Sequence, residues 1–191
     1  MQLIILDRDG VINQDSDKYV RTVDEWIPLP GSIQAIADLS KAGFTIAIAT
    51  NQSGIGRKYY SQATLDAMHL KMDKLVTLAG GKIDHIEFCP HVDADHCQCR
   101  KPKSGMLSHI LQITAAQPSN CWMVGDSLRD LQAAWPLSIK TALVKTGKGD
   151  KTQRHPELPA STPIFQDLAH FAQHLLATKP STLLNANENT R

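Results

Sequence analysis

Apolar residues fall into two kinds of run that alternate along the chain. Short unbroken runs have the length and continuity of strands buried on both faces: Leu3-Ile4-Ile5-Leu6, Phe44-Thr45-Ile46-Ala47-Ile48-Ala49, Ile83 to Phe88, Cys121-Trp122-Met123-Val124 and Lys140 to Val144. Between them, apolar positions recur three and four apart. Ile33, Ile36, Ala37 and Leu39 share one face of a helix that Ser32 can cap and that runs to about Ala42, with Gly43 at its exit. Ser61 opens a second helix, with Leu65, Met68, Met72, Leu75, Val76 and Leu78 spaced for burial before Gly80-Gly81. Met106 to Ile113, Leu128 to Trp135 (stopped by Pro136) and Asp167 to Ala177 complete the helical set. Strands alternating with helices of this length predict an α/β fold on a mostly parallel sheet. The expected single domain covers 1–177, and the polar, aperiodic stretch 178–191 reads as a disordered tail.

In open parallel sheets, ligands sit beyond the carboxyl ends of the strands. Three predicted strands end in chemistry: Asp7-Arg8-Asp9-Gly10, Thr50-Asn51 and Gly125-Asp126. Asp7 and Asp126 can supply hard oxygen ligands for Mg2+. Aspartates at i and i+2 on a strand point to opposite faces, but Gly10 permits an immediate turn that folds Asp9 back over the site. Asp7 then serves as nucleophile on phosphorus, and Asp9 as general acid for the leaving alkoxide and base for the hydrolytic water. Thr50 and the cation Lys101 would hold the phosphoryl oxygens. Taken alone, Asp-x-Asp-Gly is an ordinary turn. What points to chemistry is the whole set at successive strand exits.

Composition narrows the setting. The chain has 191 residues, 42% of them hydrophobic, enough for one core. A formal net charge of +1 gives no global case for nucleic-acid or membrane binding. The N-terminus lacks signal-peptide character, and no apolar run approaches the roughly 20 residues of a membrane helix. A cytoplasmic monomer is therefore expected. Three of the four cysteines, Cys89, Cys97 and Cys99, crowd into one stretch with His91. That composition suits a closed, tetrahedral structural Zn2+ site rather than disulfides. The bland alternative, cysteines packed as small hydrophobes, fits poorly beside Asp93, Asp95 and His96. His91 pairs with Cys89 as Cys97 pairs with Cys99, and is preferred to His96, the rival nitrogen ligand. Arg100-Lys101-Pro102 follows the last cysteine directly, so a clamped loop would fix two cations over the crevice. Cys121, inside a predicted strand, reads as ordinary core.

Together Leu3-Ile4-Ile5-Leu6-Asp7-Arg8-Asp9-Gly10, Thr50-Asn51, Lys101 and Gly125-Asp126-Ser127-Leu128-Arg129-Asp130 resemble the four motifs of the haloacid dehalogenase superfamily. The resemblance runs from about residue 2 to 150. It implies a Rossmann-like three-layer sandwich, Mg2+ on Asp7, the Asp9 backbone carbonyl and Asp126, and an aspartyl-phosphate on Asp7. It also implies a supporting role for Asp130. The segments where this superfamily inserts caps are too short here, so no separate cap domain is expected. The cysteine loop is similar to that of two groups within the superfamily, the heptose bisphosphate 7-phosphatases and the histidinol-phosphate phosphatases. Thr50-Asn51-Gln52-Ser53-Gly54-Ile55-Gly56-Arg57 is similar to the first group; the second usually carries Asp where Ser53 stands.

A sugar bisphosphate needs cations for its second phosphate. Arg100 is the candidate by position and by resemblance, with Arg57 and Lys58 more plausibly facing solvent. Asn51, Gln52 and Ser53 offer hydrogen bonds to sugar hydroxyls, and Asp15 and Tyr19 resemble family substrate contacts. Thr146 to Thr152 lacks Walker spacing and reads as a flexible surface loop, and the histidines at 69, 85, 109, 155, 170 and 174 as surface or capping residues.

Overall fold

The computed structural model describes residues 1–178; beyond Thr178, the segment expected to be a tail lies outside the described residues. Six strands, β1 (Leu3–Leu6), β2 (Thr45–Asn51), β3 (His85–Cys89), β4 (Cys121–Gly125), β5 (Lys140–Val144) and β6 (Ile164–Phe165), form one sheet in the order β3-β2-β1-β4-β5-β6. Every pairing is parallel. Strand side chains alternate between faces, and each face has its own helical layer. Ile4, Leu6, Ile46, Ile48 and Val124 pack with α1 (Ser32–Lys41), α2 (Gln62–Leu78) and α6 (Leu168–Ala177). Leu3, Ile5, Ala47, Ala49 and Met123 pack with α3 (Gly105–Thr114) and α4 (Leu128–Ala134). The result is the three-layer sandwich expected. Between Gly10 and α1 there are only isolated bridges, so nothing caps the sheet there.

Local chemistry moves two boundaries. Gly31, at φ +76°, takes the cap position of α1, and Ser32 lies inside the helix. Its hydroxyl donates to the carbonyls of Ile12 and Leu29 at 2.7 and 2.8 Å, welding the helix start to the loop after β1. By contrast, Ser61 does cap α2, accepting from the Thr64 amide. The third strand begins at His85 rather than Ile83, because Asp84 grips Ile46 on both sides: its side chain accepts from the Ile46 amide and its own amide donates to the Ile46 carbonyl. That register puts Cys89 at the strand's end, opposite Asn51. Two elements had no sequence signal. β6 is two residues long, and α5 (Gly149–Thr152) is a single turn, both too short to show a period.

Sheet order changes direction at β1: β2 and β3 extend one way, β4 to β6 the other. The carboxyl ends of β1 and β4 are therefore neighbours at a switch point, where a parallel sheet opens a crevice. Asp7 and Asp126 are the next residues of those two strands.

Candidate active site

Asp7 leaves β1 with its amide still bonded to the Val124 carbonyl at 3.0 Å, so the backbone is fixed up to the carboxylate. Its Oδ1 accepts from the Arg8 amide at 2.7 Å and lies 2.9 Å from Lys101 Nζ. Oδ2 has no hydrogen bond among the described residues and is free to react or to bind a cation. Lys101 is wholly buried and meets three acceptors, Asp7 Oδ1, Asp130 Oδ1 at 2.8 Å and the Ala49 carbonyl at 2.7 Å. Burial opposes its charge, but Asp130 and Asp7 outweigh that and raise its pKa. Asp130 spends its other oxygen on the Ser127 amide, closing a capping box at the start of α4. The lysine is thus a saturated cation that orients the Asp7 carboxylate, with Asp130 holding it from behind.

Asp126 is buried beside this group, with Oδ2 accepting from the Lys148 amide at 2.7 Å. Gly10 and Gly147 press on its carboxylate from two sides, at φ +84° and +59°, and a Cβ on either would collide with it. Thr146 donates to the Gly10 carbonyl at 2.6 Å. The Thr146–Thr152 segment therefore departs from the surface loop expected of it: it folds onto the strand end and fixes Asp126. Burial, then repulsion from Asp130, pushes the Asp7 pKa up to about 6; burial with repulsion from Asp130 and Asp7 pushes Asp126 to about 8.

Asp9 sits in a different field. Arg8, fully buried, aims Nη2 at both Asp9 oxygens (3.0 Å each) and Nε at one of them (3.2 Å). Asn13 and Gln52 donate at 2.8 and 2.9 Å. Burial acts to raise the Asp9 pKa, yet Arg8, Asn13 and Gln52 together hold it below the usual carboxylate range. Gln52 ties this cradle to the rest of the site: its amide also donates to Thr50 Oγ1 (2.8 Å), and its carbonyl accepts from Arg8 (3.1 Å) and Tyr60 (2.6 Å). With Thr50 Oγ1 accepting from Gln52, its own proton remains for a phosphoryl oxygen. Behind Arg8 stands His69, Nε2 to Nη1 3.4 Å, kept neutral because burial and then Arg8 push its pKa down to about 4. His69 is a buried partner, not the surface residue its spacing suggested. Tyr60 carried no sequence signal, and Arg8 was legible only as a member of Asp7-Arg8-Asp9-Gly10, without its inward turn.

At the end of β3 the cysteine loop gathers four ligand atoms. Cys89, His91, Cys97 and Cys99 place them all within 4.8 Å of one another. His91 Nδ1 lies 3.6 and 3.3 Å from the sulfurs of Cys89 and Cys99, and Cys89–Cys97, Cys97–Cys99 and Cys89–Cys99 are 3.6, 3.4 and 3.1 Å apart. Zn–S bonds of about 2.3 Å give tetrahedral edges of about 3.8 Å, so the spacing of the four, slightly contracted, fits a zinc ion. All four cysteines are unpaired thiols, and His96, exposed at φ +48°, stays outside the cluster. Asn51 exchanges two 3.0 Å hydrogen bonds with the Lys101 backbone, clasping this loop to β2. Arg100 donates to Asp93 at 2.6 Å and to the His91 carbonyl at 3.4 Å.

These parts enclose a cleft of ≈ 180 Å³. Asp7, Asp9, Thr50, Asn51, Gln52, Ser53, Arg100 and Asp126 line it, as do Asp15 and Tyr19 from the loop after β1. Ser53 is the one of its trio whose side chain makes no hydrogen bond among the described residues; Asn51 and Gln52 are engaged in positioning. Asp15 pairs with Lys148 at 3.1 Å, and Tyr19, at φ +68°, stacks edge-on to Tyr59. Arg57 and Lys58 are exposed and lie outside the lining. Arg129 and Lys148 line the cleft without having been singled out from sequence.

Asp7, Asp126 and Asp130 bring carboxylate oxygens within 4.8 Å of one another. Asp7 and Asp126 each keep one oxygen without a hydrogen bond among the described residues, and the Asp9 carbonyl accepts none. Uncommitted hard oxygens in an excess of buried negative charge fit Mg2+. A carboxylate with a free oxygen, a second carboxylate beside it in a cradle of donors and a buried lysine, all at strand ends of a parallel sheet, fit a phosphatase-type site. The match to the haloacid dehalogenase-like hydrolase family model covers residues 2–134, and a hydrolase-like family model matches 98–171. The chain belongs to the haloacid dehalogenase-like hydrolases.

Within that family its relatives are specific. It is 58% identical to the D-glycero-beta-D-manno-heptose-1,7-bisphosphate 7-phosphatase of Neisseria meningitidis, over 92% of this chain and 95% of that one. The enzyme of the same name from Pseudomonas aeruginosa is 55% identical over 91% and 97%. The crystal structure of D,D-heptose 1,7-bisphosphate phosphatase from B. bronchiseptica, complexed with magnesium and phosphate, superposes with a TM-score of 0.91 at 49% identity, over 94% of this chain and 100% of that one.

Proposed function

We propose that this chain is a Mg2+-dependent phosphomonoesterase that removes the 7-phosphate from D-glycero-D-manno-heptose 1,7-bisphosphate in nucleotide-heptose precursor synthesis. The observation that carries the reading is the loop Cys89–Lys101, which delivers one cation, Lys101, to the nucleophile and the next, Arg100, to the wall of the cleft. Lys101 serves the reaction of any phosphate ester through Asp7; Arg100 has a use only where there is a second phosphate. Ser53, with its free hydroxyl, and the rim residues Asp15 and Tyr19 remain for the sugar, while Asn51 and Gln52 hold the cations and Asp9 in place.

Asp7 attacks phosphorus, forming an aspartyl O–P bond as the bond to the sugar oxygen breaks. Asp9 delivers the proton that the departing alkoxide needs. Water then attacks the phosphorus, Asp9 removes its proton, and Asp7 is regenerated with release of phosphate. Thr50 donates to the phosphoryl oxygens, and Lys101 keeps Asp7 aligned while its charge is redistributed. The contacts with Arg8, Asn13 and Gln52 keep Asp9 ionised at rest, the state suited to the second step; the first requires the bound substrate to loosen that hold. Mg2+ held by Asp7, the Asp9 carbonyl and Asp126 would supply positive charge to the phosphoryl oxygens. No helix among the described residues is long and apolar enough to cross a membrane, which accords with a cytoplasmic enzyme working on a small soluble substrate; we propose a monomer.

Purified protein with Mg2+ should hydrolyse the heptose bisphosphate with a higher kcat/KM than histidinol phosphate, releasing one phosphate per molecule. Faster turnover of histidinol phosphate would overturn the substrate. The Asp7→Asn variant should lose about 10⁴-fold or more of kcat, as enzymes deprived of their nucleophile do; full retained activity would remove Asp7 from its role.

A further inference from the structure

Three cations line the cleft, and two of them are already paired. Arg100 is held by Asp93, and Lys148 by Asp15. The third, Arg129, makes no hydrogen bond or ion pair among the described residues, and its Nε is buried without a partner. Leaving a charged donor buried and unmatched costs stability, and native proteins rarely tolerate it without use. Its place in the fold does not explain it. Arg129 lies in the first turn of α4, where the helix dipole disfavours a cation, and the capping of that helix is completed by Ser127 and Asp130 without it.

Burial works against its charge, but Asp130, Asp7, Asp126 and Asp15 together raise its pKa. It lines the same ≈ 180 Å³ cleft as Arg100. The reacting phosphoryl group is met by Thr50, and Lys101 has no donor left for either phosphate.

We propose that Arg129 is a specificity-determining residue that donates, together with Arg100, to the phosphate that is not cleaved. A planar guanidinium with uncommitted donors suits two oxygens of one phosphate. Arg100 is tethered by Asp93 and so presents a fixed edge. Arg129 is untethered and free to turn onto the same anion. The inference rests on the bisphosphate reading of the site.

The test compares heptose 1,7-bisphosphate with heptose 7-phosphate for the wild-type chain, Arg129→Gln and Arg129→Lys, with thermal melts to establish folding. The wild type should prefer the bisphosphate. Arg129→Gln should lower kcat/KM for the bisphosphate about ten- to hundredfold more than for the monophosphate, mainly through KM, as loss of a charge-assisted hydrogen bond does. Arg129→Lys, which keeps charge but not the planar donor pair, should fall between, and it decides the matter if the Gln variant does not fold. Equal losses on both substrates with a weakened Mg2+ response would make Arg129 a counter-charge to the acidic floor and overturn the proposal, leaving the substrate reading intact. A wild-type chain that handles both substrates alike would remove the distal subsite and the bisphosphate reading together.

Discussion

Two aspartates two residues apart carry opposite electrostatic burdens. Asp7 is surrounded by other carboxylates and is reluctant to ionise, whereas Asp9 lies in a cradle of donors and is reluctant to accept a proton. Arg8 makes the difference by turning inward between them. Charged side chains are seldom fully buried, and for that reason the sequence could not reveal it: Arg8 reads as the solvent-facing residue of a turn. The one available hint was His69, which breaks the apolar face of α2 beside Met68. His69 also gives a measurable handle. Its pKa is depressed from 6.5 to about 4 in the fold, so the unfolded chain binds the extra proton. The stability it contributes is present above pH 6.5 and is lost as pH falls toward 4. Urea unfolding at pH 7 and pH 4.5 should show the wild type losing about 2–3 kcal/mol more than His69→Gln over that interval. Parallel losses in the two proteins would mean that His69 is not held neutral.

At the level of elements, the arm of the site built from β3 and its loop joins the rest through Asn51 and Lys101. The zinc ligands were legible because cysteines crowd into a polar stretch, where packing alone would not gather them. The clasp between Asn51 and Lys101 was not legible, since it joins residues far apart in sequence through a backbone pairing. Nor was the closure of the Thr146–Thr152 segment, whose contacts depend on two glycines meeting one carboxylate. Metal analysis of the purified chain should find one zinc per molecule. Cys99→Ser should lower that content and reduce kcat/KM about ten- to hundredfold, the usual scale for residues that support a site without entering it. Far-UV circular dichroism should change little, because the six strands and α1 to α6 account for the regular structure and Cys99 lies outside all of them. Collapse of the whole fold in this variant would show that the knuckle is part of the core.

For the molecule as a whole, a parallel sheet brings the ends of distant segments to one point, and its strands announce themselves as unbroken apolar runs. That is why the order of elements and the residues at three strand ends could be read in advance. What could not be read is how segments from opposite ends of the chain press on Asp126. Gly10 and Gly147 do so, and Gly147→Ala adds both a strained backbone, at φ +59°, and a Cβ against the carboxylate. The Mg2+ concentration for half-maximal activity should rise about tenfold or more in that variant, and an unchanged value would mean that the carboxylate is free to adjust. The two arms of the site also differ in what they require from outside the chain. The carboxylates come with the polypeptide and its packing, but the grip on the substrate waits on a scarce trace element. A zinc-starved cell would accumulate full-length, well-folded protein that turns over poorly, and the amount of protein present would be a misleading measure of flux.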